Sequence, residues 1–388
     1  MYFPKFLASK LNQRKEDNAL RSLSLSNSLI DFSSNDYLGF AKSKVIFDKT
    51  HQYLLDKNLK INGATGSRLL SGNHELYLET ENFIASFHQS ETALIFNSGY
   101  DANIGFFSCI PQRNDIILFD ELCHASIRDG IKMSNAKSYK FQHNDSEDLE
   151  KLLNLYNAER SRGNSKNEIY IVTESVFSMD GDSPNMQELV NLSEKYNCYL
   201  VVDEAHALGV FGSNGEGFIK QLQLQDRIFA RIMTFGKGLG CHGATILGSS
   251  DLRNYLVNFS RSFIYTTGLS PHSVATILVA YRELENGKES IQKLNHNILF
   301  FNQQISQLSL KPLFVSGKAA IQSVIFSGND KVKSISNEFQ KKGFDVKPIL
   351  SPTVPEGQER LRFCLHSYNS EEEISEVLNL LAKFIFKS

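Results

Sequence analysis

The chain has 388 residues, with 41 Lys and Arg against 43 Asp and Glu, a formal net charge of −2, 41% hydrophobic residues, 24 Gly and 8 Pro. Glycine and proline together fall far below the roughly 25–30% of low-complexity chains, so the length is that of a folded protein of two or three domains or of one large α/β unit. The near balance of charge supplies no general field for nucleic acid or an acidic membrane, and any anionic ligand has to be held by local geometry.

In chain order, the amino terminus sets Lys5, Lys10, Arg14, Glu16 and Asp17 among scattered Leu and Phe without an apolar signal core. It predicts an amphipathic helix lying on the protein. Short apolar, mostly β-branched runs at residues 93–96, 115–119, 168–173, 199–202, 231–234 and 245–247 alternate with longer amphipathic segments. That alternation predicts a mainly parallel sheet with helices on both faces. Between the third and fourth runs, Ser183 and Pro184 offer a helix cap and first-turn proline ahead of Leu189, Leu192 and Tyr196 at helical spacing. The charge-free stretch at residues 263–281 is long enough to cross a bilayer, but Gly268, Pro271, His272 and several hydroxyls mark it as buried protein.

Beyond residue 271 the pattern changes. A helical region carrying Val274, Ile277, Leu278 and Tyr281 leads to strands near 322–326 and 361–365 and to a final helix. Ser370 and Glu373 form a capping box there, Glu371 and Glu372 suit its positive end, and Ile374, Val377, Leu378, Leu381 and Ile385 make one face. The expected layout is an amino-terminal helix and substrate-contacting segment at 1–44, a large α/β domain at 45–270 and a small α+β domain at 271–388. Five widely spaced cysteines, Cys109, Cys123, Cys198, Cys241 and Cys364, draw neither a disulfide framework nor a metal site. A reduced cytoplasm is the simplest compartment.

Three candidate sites stand at predicted strand ends, where open α/β sheets collect ligands. Asp203, Glu204, Ala205 and His206 follow a buried strand. A carboxylate there needs a partner such as a cationic ring nitrogen, or else serves as a cap or structural ion pair. The same four residue types occur in the metal-binding box of certain helicases, but Gly236, Lys237 and Gly238 are not followed by the Ser or Thr that a phosphate loop requires. Lys237 between glycines, paired with Asp203, suits an aldehyde cofactor: a lysine for the aldehyde and a carboxylate to keep a pyridine nitrogen protonated. The turn at Ser98, Gly99 and Tyr100 opens a predicted helix whose backbone N–H groups can receive a phosphate, with Thr234 and Ser178 as hydroxyl donors.

These segments resemble the α-oxoamine synthases, fold-type I pyridoxal phosphate enzymes, over nearly the whole chain. The resemblance rests on residues 34–39 (Ser-Asn-Asp-Tyr-Leu-Gly), 66–68 with 71–72, 98–100, 124–126 (His-Ala-Ser), 173–174, 176–182, 202–206 and 234–238 (Thr-Phe-Gly-Lys-Gly) in the family's order. It implies a large, mainly parallel seven-stranded sheet domain, pyridoxal 5′-phosphate as cofactor, and a homodimer with interfacial active sites. Catalytic roles carry over to Lys237, His124, Asp203 and His206. Lys237 would hold the aldehyde, Asp203 the pyridinium, His206 the phenolic oxygen, and His124 would stack on the ring. Gly99, Tyr100, Ser178 and Thr234 resemble further cofactor contacts, with Thr267 reaching the phosphate of the neighbouring subunit. Arg21, Asn35, His124, Thr353 and Arg362 resemble substrate contacts, Arg362 offering a planar fork for a carboxylate.

Residues 264–267 and 351–357, followed by Arg360 and Arg362, look most like the branch that joins L-alanine to pimeloyl-CoA or pimeloyl-acyl carrier protein and releases carbon dioxide. A glycine-using ketobutyrate ligase or another α-oxoamine synthase is the alternative within the enzyme class, and a cofactor-binding but noncatalytic partner subunit, of a kind expected to lack the lysine, the alternative of a different class. Departures occur at His74, Tyr77, Cys241 and His242, which bear on acyl-chain preference.

Overall fold

The strongest apolar runs pair with one another because each, as a strand, buries side chains on both faces. The computed structural model describes residues 2–21, 23, 28–162 and 167–386. Its large sheet contains β1 (Thr92–Phe96), β2 (Ile116–Asp120), β3 (Lys137–Phe141), β4 (Ile169–Glu174), β5 (Tyr199–Asp203), β6 (Ala230–Thr234) and β7 (Ala244–Gly248). The order across the sheet is β1-β7-β6-β5-β4-β2-β3. β7 runs antiparallel to both β1 and β6, and the remaining pairs are parallel. The expected fold-type I sheet is therefore present, and the six expected strands all form with ends displaced by no more than a residue or two.

The seventh, β3, is not among the strands that the apolar runs predict. Its Lys137, Ser138, Tyr139 and Lys140 are not buried and only Phe141 is. An edge strand with one wetted face carries this polar composition, and its lysines discourage further pairing.

Side-chain alternation distributes the core. Ile117 and Val201 enter one buried cluster with Phe106 and Ile232. Their neighbours Leu118, Leu200 and Val202 enter another with Leu153, Ile171 and Leu189. Each such side chain contributes roughly 1.5–3 kcal/mol on burial. The helix predicted after Ser183 and Pro184 is Met186–Lys195, and its cap is Asn185, which accepts from the Glu188 N–H. Asn is as good a cap as Ser, and Pro184 lies before the helix instead of in its first turn. The 263–281 stretch divides between helices Arg261–Ile264 and Pro271–Asn286, the second capped by Ser270. Among the described residues no helix is long and apolar enough to cross a membrane.

The chain forms two compact units, one of Asn35–Ser178 and Ser183–Gln292, the other of Met1–Ser34, Met179–Asp182 and Lys293–Ser388. These divisions differ from those expected at 44/45 and 270/271. Helix Pro271–Asn286 packs against helices Lys44–Asp56 and Glu75–Phe87, with ion pairs Lys49 to Glu283 and Arg282 to Glu79, so it belongs to the larger unit. In the smaller unit Arg360–Cys364 pairs antiparallel with Ile321–Ile325 and Lys347–Ile349. Ile30–Asp31 pairs parallel with Phe344–Asp345, which ties the amino-terminal segment to this unit. The final helix, Glu371–Phe386, has the expected reciprocal bonds between Ser370 and Glu373. Helix Lys5–Glu16 forms but buries no side chain, and Phe6, Leu7 and Leu11 are exposed.

Candidate active site

Parallel pairing aligns the carboxyl ends of β4, β5 and β6. Register sets Glu174 opposite Asp203 and Asp203 opposite Ile232, two residues before Thr234. The apolar residues before each end bury the strands, and the first polar residue after each run emerges at one edge of the sheet. Asp203 is buried, yet its carboxylate is satisfied: Asn103 Nδ2 donates to Oδ2 at 2.9 Å and the Ala205 N–H to Oδ1 at 2.9 Å. Two hydrogen bonds offset much of the cost of placing that charge in the interior.

The loop after β6 brings Lys237 Nζ to 2.6 Å from His206 Nε2. The other ring nitrogen, Nδ1, lies 2.6 Å from the hydroxyl of the wholly buried Tyr37. Tyr37 also donates to Asn35 Oδ1 at 3.3 Å. The lysine and imidazole, 31 positions apart in the chain, are thus direct neighbours.

His124 precedes helix Ala125–Met133 and caps it. Its Nδ1 is 2.7 Å from Ser126 Oγ and accepts from the Ser126 N–H at 3.3 Å. Asn103 Nδ2 donates to Ser126 Oγ at 3.0 Å, joining this group to Asp203. The His124 backbone N–H donates to Glu174 Oε1 at 2.6 Å. Burial holds the His124 imidazole below its ordinary pKa; Asp203 opposes that effect, while Lys237 and Arg128 add to it. Burial raises Glu174 to about 8, and the neighbouring Asp203 charge adds to the rise against Lys237 and the His124 bond.

Helix Gly99–Cys109 begins with Ser98 as cap, its Oγ accepting from Asp101 N–H at 3.0 Å. A Cβ on Gly99 would stand 2.4 Å from Thr234 Oγ1, so glycine permits the helix start to approach the end of β6. First-turn N–H groups in such a cradle are suited to a phosphate. Tyr100 is exposed and donates to Asp129 Oδ2 at 2.9 Å. Thr267 is exposed, and its carbonyl accepts from Asn97 Nδ2 at 2.7 Å. Ser178 is half-buried at the end of the larger unit's segment before Met179–Asp182.

Among the expected substrate contacts, Asn35 and His124 belong to the larger unit and Arg21, Thr353 and Arg362 to the smaller. Arg21 Nη2 donates to Thr353 Oγ1 at 3.2 Å. Arg362 is half-buried, in register with Ser323 and Lys347. The departures at His74 and Tyr77 have a packing role: their rings are 4.6 Å apart, Arg68 lies 3.7 Å over the Tyr77 ring, and the Tyr77 hydroxyl accepts from Leu269 N–H at 2.7 Å. Tyr37, Ser126 and Glu174 enter the sequence reading only as members of the 34–39, 124–126 and 173–174 motifs, and neither they nor Asn103 are given a role there.

Pyridoxal phosphate demands an amine for its aldehyde, a buried carboxylate for its ring nitrogen and a donor-rich cradle for its phosphate. Lys237, the bonded Asp203 and the cradle that a Gly99 Cβ would fill meet those demands. Among the described residues no group of three or more His, Cys, Asp or Glu is arranged to hold a metal ion.

Comparison with known proteins agrees with this chemistry. The profile of the aminotransferase class I and II family matches residues 27–381. An 8-amino-7-oxononanoate synthase of Emericella nidulans is 40% identical, covering 98% of this chain and 97% of that protein. The solved 8-amino-7-oxononanoate synthase of Francisella tularensis is 28% identical with a TM-score of 0.76, covering 93% of this chain and 99% of that one. A serine palmitoyltransferase of S. paucimobilis with bound PLP, 24% identical, shares the fold at a TM-score of 0.86 over 98% of this chain and 97% of that one. The chain belongs to the aminotransferase class I and II family, as an α-oxoamine synthase of the 8-amino-7-oxononanoate synthase-like kind.

Proposed function

We propose that this protein is a pyridoxal phosphate-dependent acyltransferase that condenses L-alanine with a pimeloyl thioester, giving 8-amino-7-oxononanoate, carbon dioxide and free thiol. The observation that carries the reading is the identity of 40% with an 8-amino-7-oxononanoate synthase over almost the whole of both chains. The Lys237, His206 and Asp203 geometry supports it chemically.

Pyridoxal phosphate, when bound, supplies the electron sink for negative charge developing at the α-carbon of alanine. Lys237 Nζ would hold the cofactor aldehyde, and the same amine is the group placed to take the α-proton of alanine. Asp203 would keep the cofactor's ring nitrogen protonated. His206, adjoining Lys237, would meet its phenolic oxygen, and His124 would stack on the ring. Gly99, Tyr100, Ser178 and Thr234 would hold the phosphate, and Thr267 would do so from the neighbouring subunit of a homodimer. Arg362 pairs with the alanine carboxylate, and Arg21, Asn35 and Thr353 complete the substrate contacts.

The test is product identification by mass spectrometry after incubating the purified chain and pyridoxal phosphate with L-alanine and pimeloyl-CoA or pimeloyl-acyl carrier protein, against glycine and acetyl-CoA. The expected product is 8-amino-7-oxononanoate from one or both pimeloyl donors. Preference for glycine and acetyl-CoA overturns the substrate assignment.

A further inference from the structure

The hydrogen bonds around Asn103 leave little freedom in where protons reside. The Asp203 carboxylate is an acceptor, so the Asn103 group 2.9 Å from Oδ2 is the amide nitrogen, and that same nitrogen donates to Ser126 Oγ at 3.0 Å. Asn103 Oδ1 is buried and has no hydrogen-bond partner among the described residues. The amide is therefore oriented by its two donors and not by its acceptor. Ser126 Oγ accepts from Asn103 and stands 2.7 Å from His124 Nδ1; because the Ser126 backbone N–H, which can only donate, is aimed at that same nitrogen at 3.3 Å, Nδ1 is an acceptor and the hydroxyl its second donor. Two donors converge on one ring nitrogen. Asn103 and Ser126 are almost wholly buried, so water does not compete for these bonds.

We infer that Asn103 and Ser126 are positioning residues that hold His124 as the neutral imidazole protonated on Nε2, through a chain of donors running outward from Asp203. His124 then presents a hydrogen-bond donor, not a proton acceptor. This inference rests on the proposed reaction only for its consequence there: His124 stabilises an acceptor oxygen, the alanine carboxylate or the thioester carbonyl, while proton removal stays with Lys237. It also joins Asp203 and His124 through the Asn103 amide, so that the carboxylate and the imidazole share a support.

The charged groups acting on His124 are Asp203 and Asp129, which favour its protonation, and Lys237 and Arg128, which oppose it. Glu174 meets its backbone N–H. None of them donates to Nδ1, so the tautomer is set by Ser126.

The experiment is long-range 1H–15N correlation of histidine ring nitrogens in the full chain, with His124 assigned by its loss in His124→Asn. It is run without cofactor and again with pyridoxal phosphate. The expected wild-type spectrum at pH 8 shows a protonated Nε2 and an unprotonated, hydrogen-bonded Nδ1. Ser126→Ala removes the stronger donor to the neutral ring. It is expected to raise the imidazole midpoint by about half a pH unit or more and to mix the tautomers. Ser126→Thr, which keeps the hydroxyl, restores both. A wild-type ring protonated on Nδ1 overturns the inference without any variant. An unchanged tautomer and midpoint in a folded Ser126→Ala chain also overturns it. Failure of the functional reading is seen separately, as the absence of 8-amino-7-oxononanoate in the product assay, which leaves the tautomer measured in the cofactor-free chain untouched.

Discussion

Lys237 Nζ lies 2.6 Å from His206 Nε2, although the two residues follow different strands and neither strand pairs them directly. The contact follows from sheet order: β5 and β6 are adjacent, and each ends in a loop at the same edge. Tyr37 fixes the far side of the imidazole, so the position of the amine depends on the turn at residues 35–38 as well as on its own loop.

Lys237→Ala is expected to abolish the borohydride-reducible adduct with pyridoxal phosphate and to lower kcat by about 10²–10⁴, the range associated with a positioned acid–base group. Absorption before and after borohydride, together with mass spectrometry of the adduct, checks this. An adduct at the wild-type level in the variant overturns the assignment of the amine.

Asp203→Asn keeps the size of the side chain but removes its charge. The expected loss is about 10²–10³ in kcat, comparable with deleting one preorganised electrostatic group, with a smaller change in cofactor affinity. A kcat within a fewfold of wild type means that Asp203 does not sustain the charge on the ring nitrogen. Asparagine also faces the Asn103 amide, so this substitution disturbs the bond at 2.9 Å as well as the charge.

The legible and illegible parts of this fold separate by chemistry. Val201 and Val202 announce β5 because successive apolar residues enter different buried clusters, which a surface strand does not require. Lys137–Phe141 hides because an edge strand tolerates polar residues on one face. Lys237 and Asp203 are legible because a lysine between glycines and an acid at a strand end are unusual by themselves. Asn103 is not, and Ser126 is legible only as part of the 124–126 motif, since each is an ordinary helical residue until folding buries it beside a partner distant in sequence. The helix at Lys5–Glu16 is legible as a helix. An amphipathic pattern predicts the helix but not what, if anything, covers its apolar side chains.

Gly99→Ala separates the cradle from the fold. Alanine gains about 1 kcal/mol in helix propensity over glycine, against a Cβ placed 2.4 Å from Thr234 Oγ1, the end of a side chain that can rotate. The thermal midpoint without cofactor is therefore expected to change little. Rotation of Thr234 and the added methyl both intrude on the phosphate position, so the Kd for pyridoxal phosphate should rise about tenfold, equivalent to about 1.4 kcal/mol. Fluorescence quenching by the cofactor reads this through tyrosine, since the chain has no Trp. An unchanged Kd moves the phosphate away from the helix start.

Glu174 gives the molecule a predictable pH dependence. Burial first, and then the adjacent Asp203, raise its pKa to about 8 in the folded chain from an ordinary value of 4.5. The folded state consequently binds more protons than the unfolded state between those limits, so this group's contribution is fully present below about 4.5 and is lost as pH rises through about 8. Glu174→Gln removes the ionisation while its Oε1 can still accept from the His124 N–H. The variant is expected to flatten the decline in stability across that interval and to exceed wild type by ~1 kcal/mol or more above it, a tenfold difference in proton affinity between folded and unfolded chain being worth about 1.4 kcal/mol. Urea titrations of the cofactor-free chain from pH 5 to pH 9 measure this slope. Parallel profiles for variant and wild type mean that Glu174 is ionised in the folded protein throughout, with the charge of Lys237 outweighing burial.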